Sequence, residues 1–229
     1  MKYTYKLFTI CFALLTISAC TDLDEILVGE VGAPFNGTEP AFGNFDGGGS
    51  GPADAVSSAY NALRDAGSAN HGGYWSVQSV SSDEMAVTQK GGDWYDGGIW
   101  INMHTHEFTS TNGPLNGAWG QQYSAIGACN DALAGSLDAN QTAQVRALRA
   151  FFYYRLLDMY GRVKLVTTPG SDAPQSTRAQ VYAFVESELL ASLGISNVSM
   201  AMDLSSSPLG TTMDAYRINQ YAALGLLSK

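Results

Sequence analysis

The sequence predicts a mostly α-helical protein, and three observations carry that prediction. Apolar residues recur at steps of three and four in long stretches, which lays a stripe along one face of a helix. Helix punctuation flanks those stretches: Asn112-Gly113-Pro114, Thr177 and Gln180 at capping-box spacing, and glycines at 67, 161 and 194. A short run, Val163-Lys164-Leu165-Val166-Thr167, reads as extended and leads into a loop marked by Pro169 and Pro174.

Residues 142–161 are the organising stretch. Val145, Leu148, Phe152, Leu156 and Met159 form its stripe. Ala150, Phe151 and Tyr154 widen the stripe beyond one face, so this helix is expected to touch neighbours on two sides. Arg146, Arg149 and Arg155 lie within the aromatic run. The expected reading is arginines that snorkel from a half-buried helix; the sharper alternative is buried Arg–carboxylate pairs that lock neighbouring helices.

The other elements follow in chain order. Residues 53–66 read as a helix striped by Val56, Tyr60 and Leu63. Residues 74–85 read as a second, marked by Tyr74, Trp75, Val77, Val80 and Met85. Residues 87–110 show no helical pattern. A third helix starts at Asn112-Gly113-Pro114 and repeats Leu115, Trp119, Tyr123, Ile126, Asn130 and Leu133. Val181, Phe184, Val185, Leu189 and Leu193 carry a further helix to Gly194. Residues 196–213, rich in Ser and Met, read as loop, and Asn219 is placed to cap a last helix through Leu227.

The chain of 229 residues is long enough for a sizeable core, and 45% apolar with 14% charged residues fits an ordered protein. Its net charge is −9 and becomes two units more negative without Lys2 and Lys6. Such an acidic balance argues against nucleic-acid partners and against charge-driven binding to anionic membranes. Lys2 and Lys6 precede the apolar run LFTICFALLTI, which has the form of a secretory signal and is too short to span a bilayer. Ile17-Ser18-Ala19-Cys20 then resembles the lipobox of bacterial lipoproteins, in which the cysteine sulfur is acylated and becomes the first residue after cleavage. The expected organisation is a signal over 1–19, an acylated Cys20 with a Gly-rich linker over 20–52, and a helical domain over 53–229. With Cys20 acylated, Cys129 has no disulfide partner and is expected to be a small buried apolar residue.

Leu148-Arg149-Ala150-Phe151-Phe152-Tyr153-Tyr154, followed by Leu156 and by Met159-Tyr160-Gly161-Arg162-Val163-Lys164-Leu165-Val166, resembles the signature helix of the SusD/RagB family. Those are glycan-binding lipoproteins of the bacterial outer membrane. Arg217-Ile218-Asn219-Gln220-Tyr221-Ala222-Ala223 resembles a second family motif, and Thr21-Asp22-Leu23-Asp24-Glu25 resembles acidic export signals of surface lipoproteins. Lys164 stands where the family usually has proline, so a less rigid turn is expected there. The resemblance implies irregular helix pairs of tetratricopeptide type with long functional loops. It also implies a longer whole protein, of which this chain would be the amino-terminal part.

Three sites follow. Ser82-Asp83-Glu84 precedes a glycine-rich loop carrying Asp93, Trp94, Tyr95 and Asp96. Sugars lay their apolar faces on aromatic rings while hydroxyls bond to carboxylates, so those four residues are the candidate ligand-binding set. The plain alternative for Trp94 and Trp100 is core filling, and Asp83 and Glu84 are expected to cap or to pair with an arginine. His104 and His106 would share a face if they lay on a strand, but no third metal ligand stands at a recognised spacing, so no metal is expected. A carboxylate pair drawn from Asp83 or Glu84 with Asp93 or Asp96 is the weak signal for a glycosidase.

By resemblance, the expected function is capture of an oligosaccharide at the cell surface, without catalysis or cofactor, by a protein anchored in the outer membrane through Cys20. The implied partner is a SusC-like TonB-dependent transporter. The alternatives are a surface glycoside hydrolase and a scaffold lipoprotein with no ligand.

Overall fold

The computed structural model describes residues 56–67, 71–88, 90–92, 95–211 and 217–229. Cys20, the signal and the linker lie outside them. The described residues are mostly helical, as expected, and hold seven α-helices. These are α1 (Ser57–Gly67), α2 (Tyr74–Ser81), α3 (Ile99–His104), α4 (Gly113–Ala134), α5 (Ala139–Tyr160), α6 (Arg178–Leu193) and α7 (Gln220–Leu227). Asp96–Gly98 and Val198–Met202 are single 3-10 turns.

The caps explain the boundaries. Asn112 accepts from the Leu115 amide at the start of α4, with Pro114 in the first turn. Thr177 and Gln180 form the expected capping box on α6, and Gly194 closes that helix at φ 73°. The organising helix α5 begins three residues before the expected start, because Asp138 and Gln141 form a second capping box. Helix α2 stops at Ser81, four residues short of expectation. The Ser81 hydroxyl donates back to the Val77 carbonyl, and Asp83 at φ 63° turns the chain out of the helix.

The long helices pair antiparallel. Tyr160 at the end of α5 donates to the Leu115 carbonyl at the start of α4, and Trp119 meets the Tyr160 ring edge-on at 4.9 Å. On the other side of α5, Tyr153 meets Phe184 of α6 edge-on at 5.1 Å. Leu148, Phe152, Tyr153 and Leu156 are fully buried there with Ile126, Cys129, Val145 and Leu189. Burial pushes the Cys129 thiol up to about 12, with nearby Arg149 pulling the other way, so it behaves as a small apolar group.

At the centre of this sandwich lies an ionic knot. Arg149 is 7% exposed and donates through Nε to Glu188 Oε2 at 2.8 Å. Its Nη2 lies 2.7 Å from the same oxygen, and its Nη1 donates to Asn130 Oδ1 at 2.8 Å. Arg146 adds a bond to Glu188 Oε1 at 3.0 Å. Three helices, α4, α5 and α6, are thereby pinned to one buried carboxylate. The snorkelling expectation is corrected at Arg149, which is buried and takes the carboxylate instead. It is corrected at Arg155 as well. That guanidinium sits 3.9 Å from the Tyr74 ring centroid and 4.4 Å from that of Phe151, and donates to the Ala66 carbonyl.

The extended run after α5 is held by two tyrosines. The Tyr123 hydroxyl donates to the Lys164 carbonyl and accepts from the Lys164 amide, both at 2.9 Å. Tyr153 does the same at Val166, at 2.8 and 2.7 Å. Proline at 164 would lose one of these bonds, because it has no amide hydrogen. The looser turn expected from Lys164 is therefore compensated by the Tyr123 clamp.

Truncating Glu188 leaves the Arg149 charge buried without its partner. Glu188→Ala is expected to lower the unfolding free energy by about 3–5 kcal/mol, read from urea denaturation. A loss below about 1 kcal/mol would mean that the knot is not a structural lock.

Candidate functional site

The segment expected to lack helical pattern contains helix α3, and this corrects the sequence reading. Trp100 and Met103 are its two buried residues, too few turns to register as a period. They join Val77 and Val80 of α2 and Ala118 of α4 in a second, smaller core.

The chain enters α3 through three consecutive positive-φ residues: Asp96 at 46°, Gly97 at 66° and Gly98 at 82°. Glycine suits two of these positions, and Gly98 also lies under the Tyr95 ring, whose hydroxyl is 3.4 Å from where a Cβ would stand. Asp96 adopts the same region at some cost, of order 1–3 kcal/mol. The compensation is visible. Its Oδ2 accepts from the Trp100 indole at 2.8 Å, which satisfies the only polar atom of that buried ring. The amide of Gly98 donates to the Tyr95 carbonyl at 2.7 Å and closes the turn.

The candidate ligand set therefore divides. Asp93 and Trp94 lie outside the described residues. Tyr95 is 39% exposed at the head of the turn, with its ring accessible. Asp96 supports Trp100. Trp100 itself is 3% exposed and fills the core, the plain alternative of the two.

The two histidines are not on a strand. His104 ends α3, and His106 sits in a turn at φ 58°. Asp83 Oδ1 lies 3.4 Å from His104 Nδ1, and His106 Nε2 lies 2.8 Å from the Ser81 carbonyl. His106 thus ties the α3 end to the end of α2, while His104 Nδ1 faces Asp83 without a hydrogen bond. Asp83 faces a histidine where an arginine was expected, and Asp83 and Glu84 are exposed.

Sequence reasoning missed a hollow beside this turn. It has a volume of about 290 Å³ and is lined by His71, Trp75, Ser76, Val80, Met85, Val87 and Trp100. The His71 ring lies 5.1 Å from Trp100, and Trp75 is 45% exposed. Two contacts fix its walls. Gly117 of α4 comes so near the loop before α2 that a Cβ there would stand 2.9 Å from the Gly72 carbonyl. Gln78 and Tyr74 of α2 both donate to Asp158 of α5, at 2.7 and 3.3 Å. Burial, with Asp158 next, raises the Tyr74 phenol above its usual range. The signal available in sequence was Trp75 itself, which reads there only as one of the apolar marks of the helix over 74–85.

The architecture matches solved structures. Surface glycan-binding protein A from Bacteroides uniformis aligns at 26% identity and TM-score 0.57, over 76% of this chain and 39% of that one. A SusD homologue from Bacteroides thetaiotaomicron aligns at 25% identity and TM-score 0.54, over 76% and 34%. A laminarin-binding SusD-like protein aligns at 22% identity and TM-score 0.54, over 76% and 37%. No family model matches the chain, and no curated protein does. The class defined by these helix pairs is the SusD-like helical fold. The chain shares that fold and spans between 34 and 39% of the length of these three structures.

Asp96→Ala removes the acceptor of the Trp100 indole and places at φ 46° a residue that tolerates the left-handed backbone less well than Asp. It is expected to cost about 1–3 kcal/mol, with a red-shifted tryptophan emission as the indole meets water. Unchanged stability and emission would mean that the bond does not hold Trp100.

Proposed function

We propose that this chain belongs to a lipid-anchored surface protein that binds an oligosaccharide and passes it to a SusC-like outer-membrane transporter. Fold alone does not define function, so the reading leans on the site. The observation that carries it is Tyr95. An aromatic ring is held accessible at the head of a turn that Asp96, Gly98 and Trp100 lock from below. Such a ring offers a flat apolar face to a sugar, and a locked turn loses little freedom on binding. Trp94 and Asp93, adjacent in sequence, add a second ring and a hydroxyl acceptor. The likeness to a surface glycan-binding protein at 26% identity supports the same reading.

Cys20 provides the anchor in this reading, with the residues up to 52 as tether and 53–229 as the glycan-binding part. The outer membrane is the corresponding location. No helix among the described residues is long and apolar enough to cross a membrane. The role is equilibrium binding. A glycosidase would require two carboxyls about 5–9.5 Å apart astride the bond, which the reducing-sugar assay below tests.

A glycan array followed by calorimetry tests the proposal. Stacking plus a few hydrogen bonds gives an expected affinity between micromolar and millimolar, about −8 to −4 kcal/mol. Trp94→Ala and Tyr95→Ala should each weaken binding at least tenfold, without reducing-sugar release by the wild type. Absence of binding to any arrayed glycan, or steady sugar release, would overturn it.

A further inference from the structure

We propose that the hollow between α2 and α3 is a subsite for a sugar unit carrying an exocyclic methyl group, either a 6-deoxyhexose or an N-acetylhexosamine. The proposal rests on the glycan-binding reading and assigns residues and a chemistry to it. The hollow of about 290 Å³ is near the lower limit of small-molecule sites, the scale of one monosaccharide unit. Its composition is unusual for a sugar site. Val80, Met85, Val87 and the two indoles of Trp75 and Trp100 make most of the lining, and His71 and Ser76 supply its polar side chains.

A pyranose with hydroxyls at every position would leave several of them facing apolar wall, which is unfavourable without hydrogen-bond partners. A methyl group removes that conflict. A 6-deoxy carbon or an acetamido methyl fits against the valines and the Met85 thioether, while the C–H face of the ring stacks on Trp75. Trp75 and Met85 are 45% and 43% exposed, so both remain accessible from the surface. Position adds to the argument. Trp100 floors the hollow and is bonded to Asp96, the residue after Tyr95, so hollow and turn share one rigid support.

Ligand-observed saturation-transfer NMR on the full chain tests this with two matched pairs. Methyl α-L-fucoside and methyl α-L-galactoside differ only in the 6-hydroxyl. The methyl glycosides of N-acetyl-D-glucosamine and D-glucose differ only at C2. At least one methyl-bearing member is expected to bind fivefold more tightly than its counterpart, with the strongest saturation on that methyl; the pair that discriminates identifies the source. Trp75→Ala should weaken that binding at least tenfold and the exposed change Met85→Gln at least threefold, both with unchanged thermal melting. Equal binding within both pairs, or full binding by Trp75→Ala, would overturn the subsite. If an arrayed glycan still binds in a Trp94-dependent way, the glycan reading survives that failure. A chain that binds no arrayed glycan loses both.

Discussion

A buried carboxylate is the constraint on which this structure depends. Glu188 is 4% exposed, and its two oxygens are shared between Arg149 and Arg146. An ion removed from water is costly unless its partners fix it in good geometry, so the register of α6 on α5 is restricted to positions that return Glu188 to those guanidiniums. Asn130 extends the same constraint to α4 through Arg149. Apolar packing around the knot supplies most of the burial, but Leu and Phe side chains tolerate sliding by a turn more readily than a charge does.

From that base the order propagates toward the surface. Helix α5 carries Arg155 and Asp158 on a face turned toward α2, and these grip Tyr74 and Gln78. Helix α2 in turn presents Trp75 and Val80 to the hollow. Trp100 closes the sequence, pinned by Asp96 within a turn of three left-handed residues. Under the proposed glycan reading, such fixed support leaves little side-chain freedom to be lost on binding.

Much of the scaffold was legible from residues alone. Helices α4 and α6 announced themselves through Asn112-Gly113-Pro114 and through Thr177 with Gln180, since capping is a local interaction. Helix α3 was not legible, because six residues behind a glycine cluster contain too little period to detect. The partner of Arg149 was equally hidden. Glu188 is 39 residues away, and nothing local distinguishes it from other acids. Trp75 shows the same limit at the site. It reads among the apolar marks of its helix, but whether it meets core or solvent is settled by the neighbouring elements, which leave it 45% exposed.

The most direct test of this account is a double-mutant cycle on Arg149→Met and Glu188→Leu, followed by urea denaturation. If one buried pair locks the helices, the double variant should be more stable than the sum of the single losses predicts, with a coupling of about 1–3 kcal/mol. Single losses that simply add, within about 0.5 kcal/mol, would contradict the claim that the knot organises the fold.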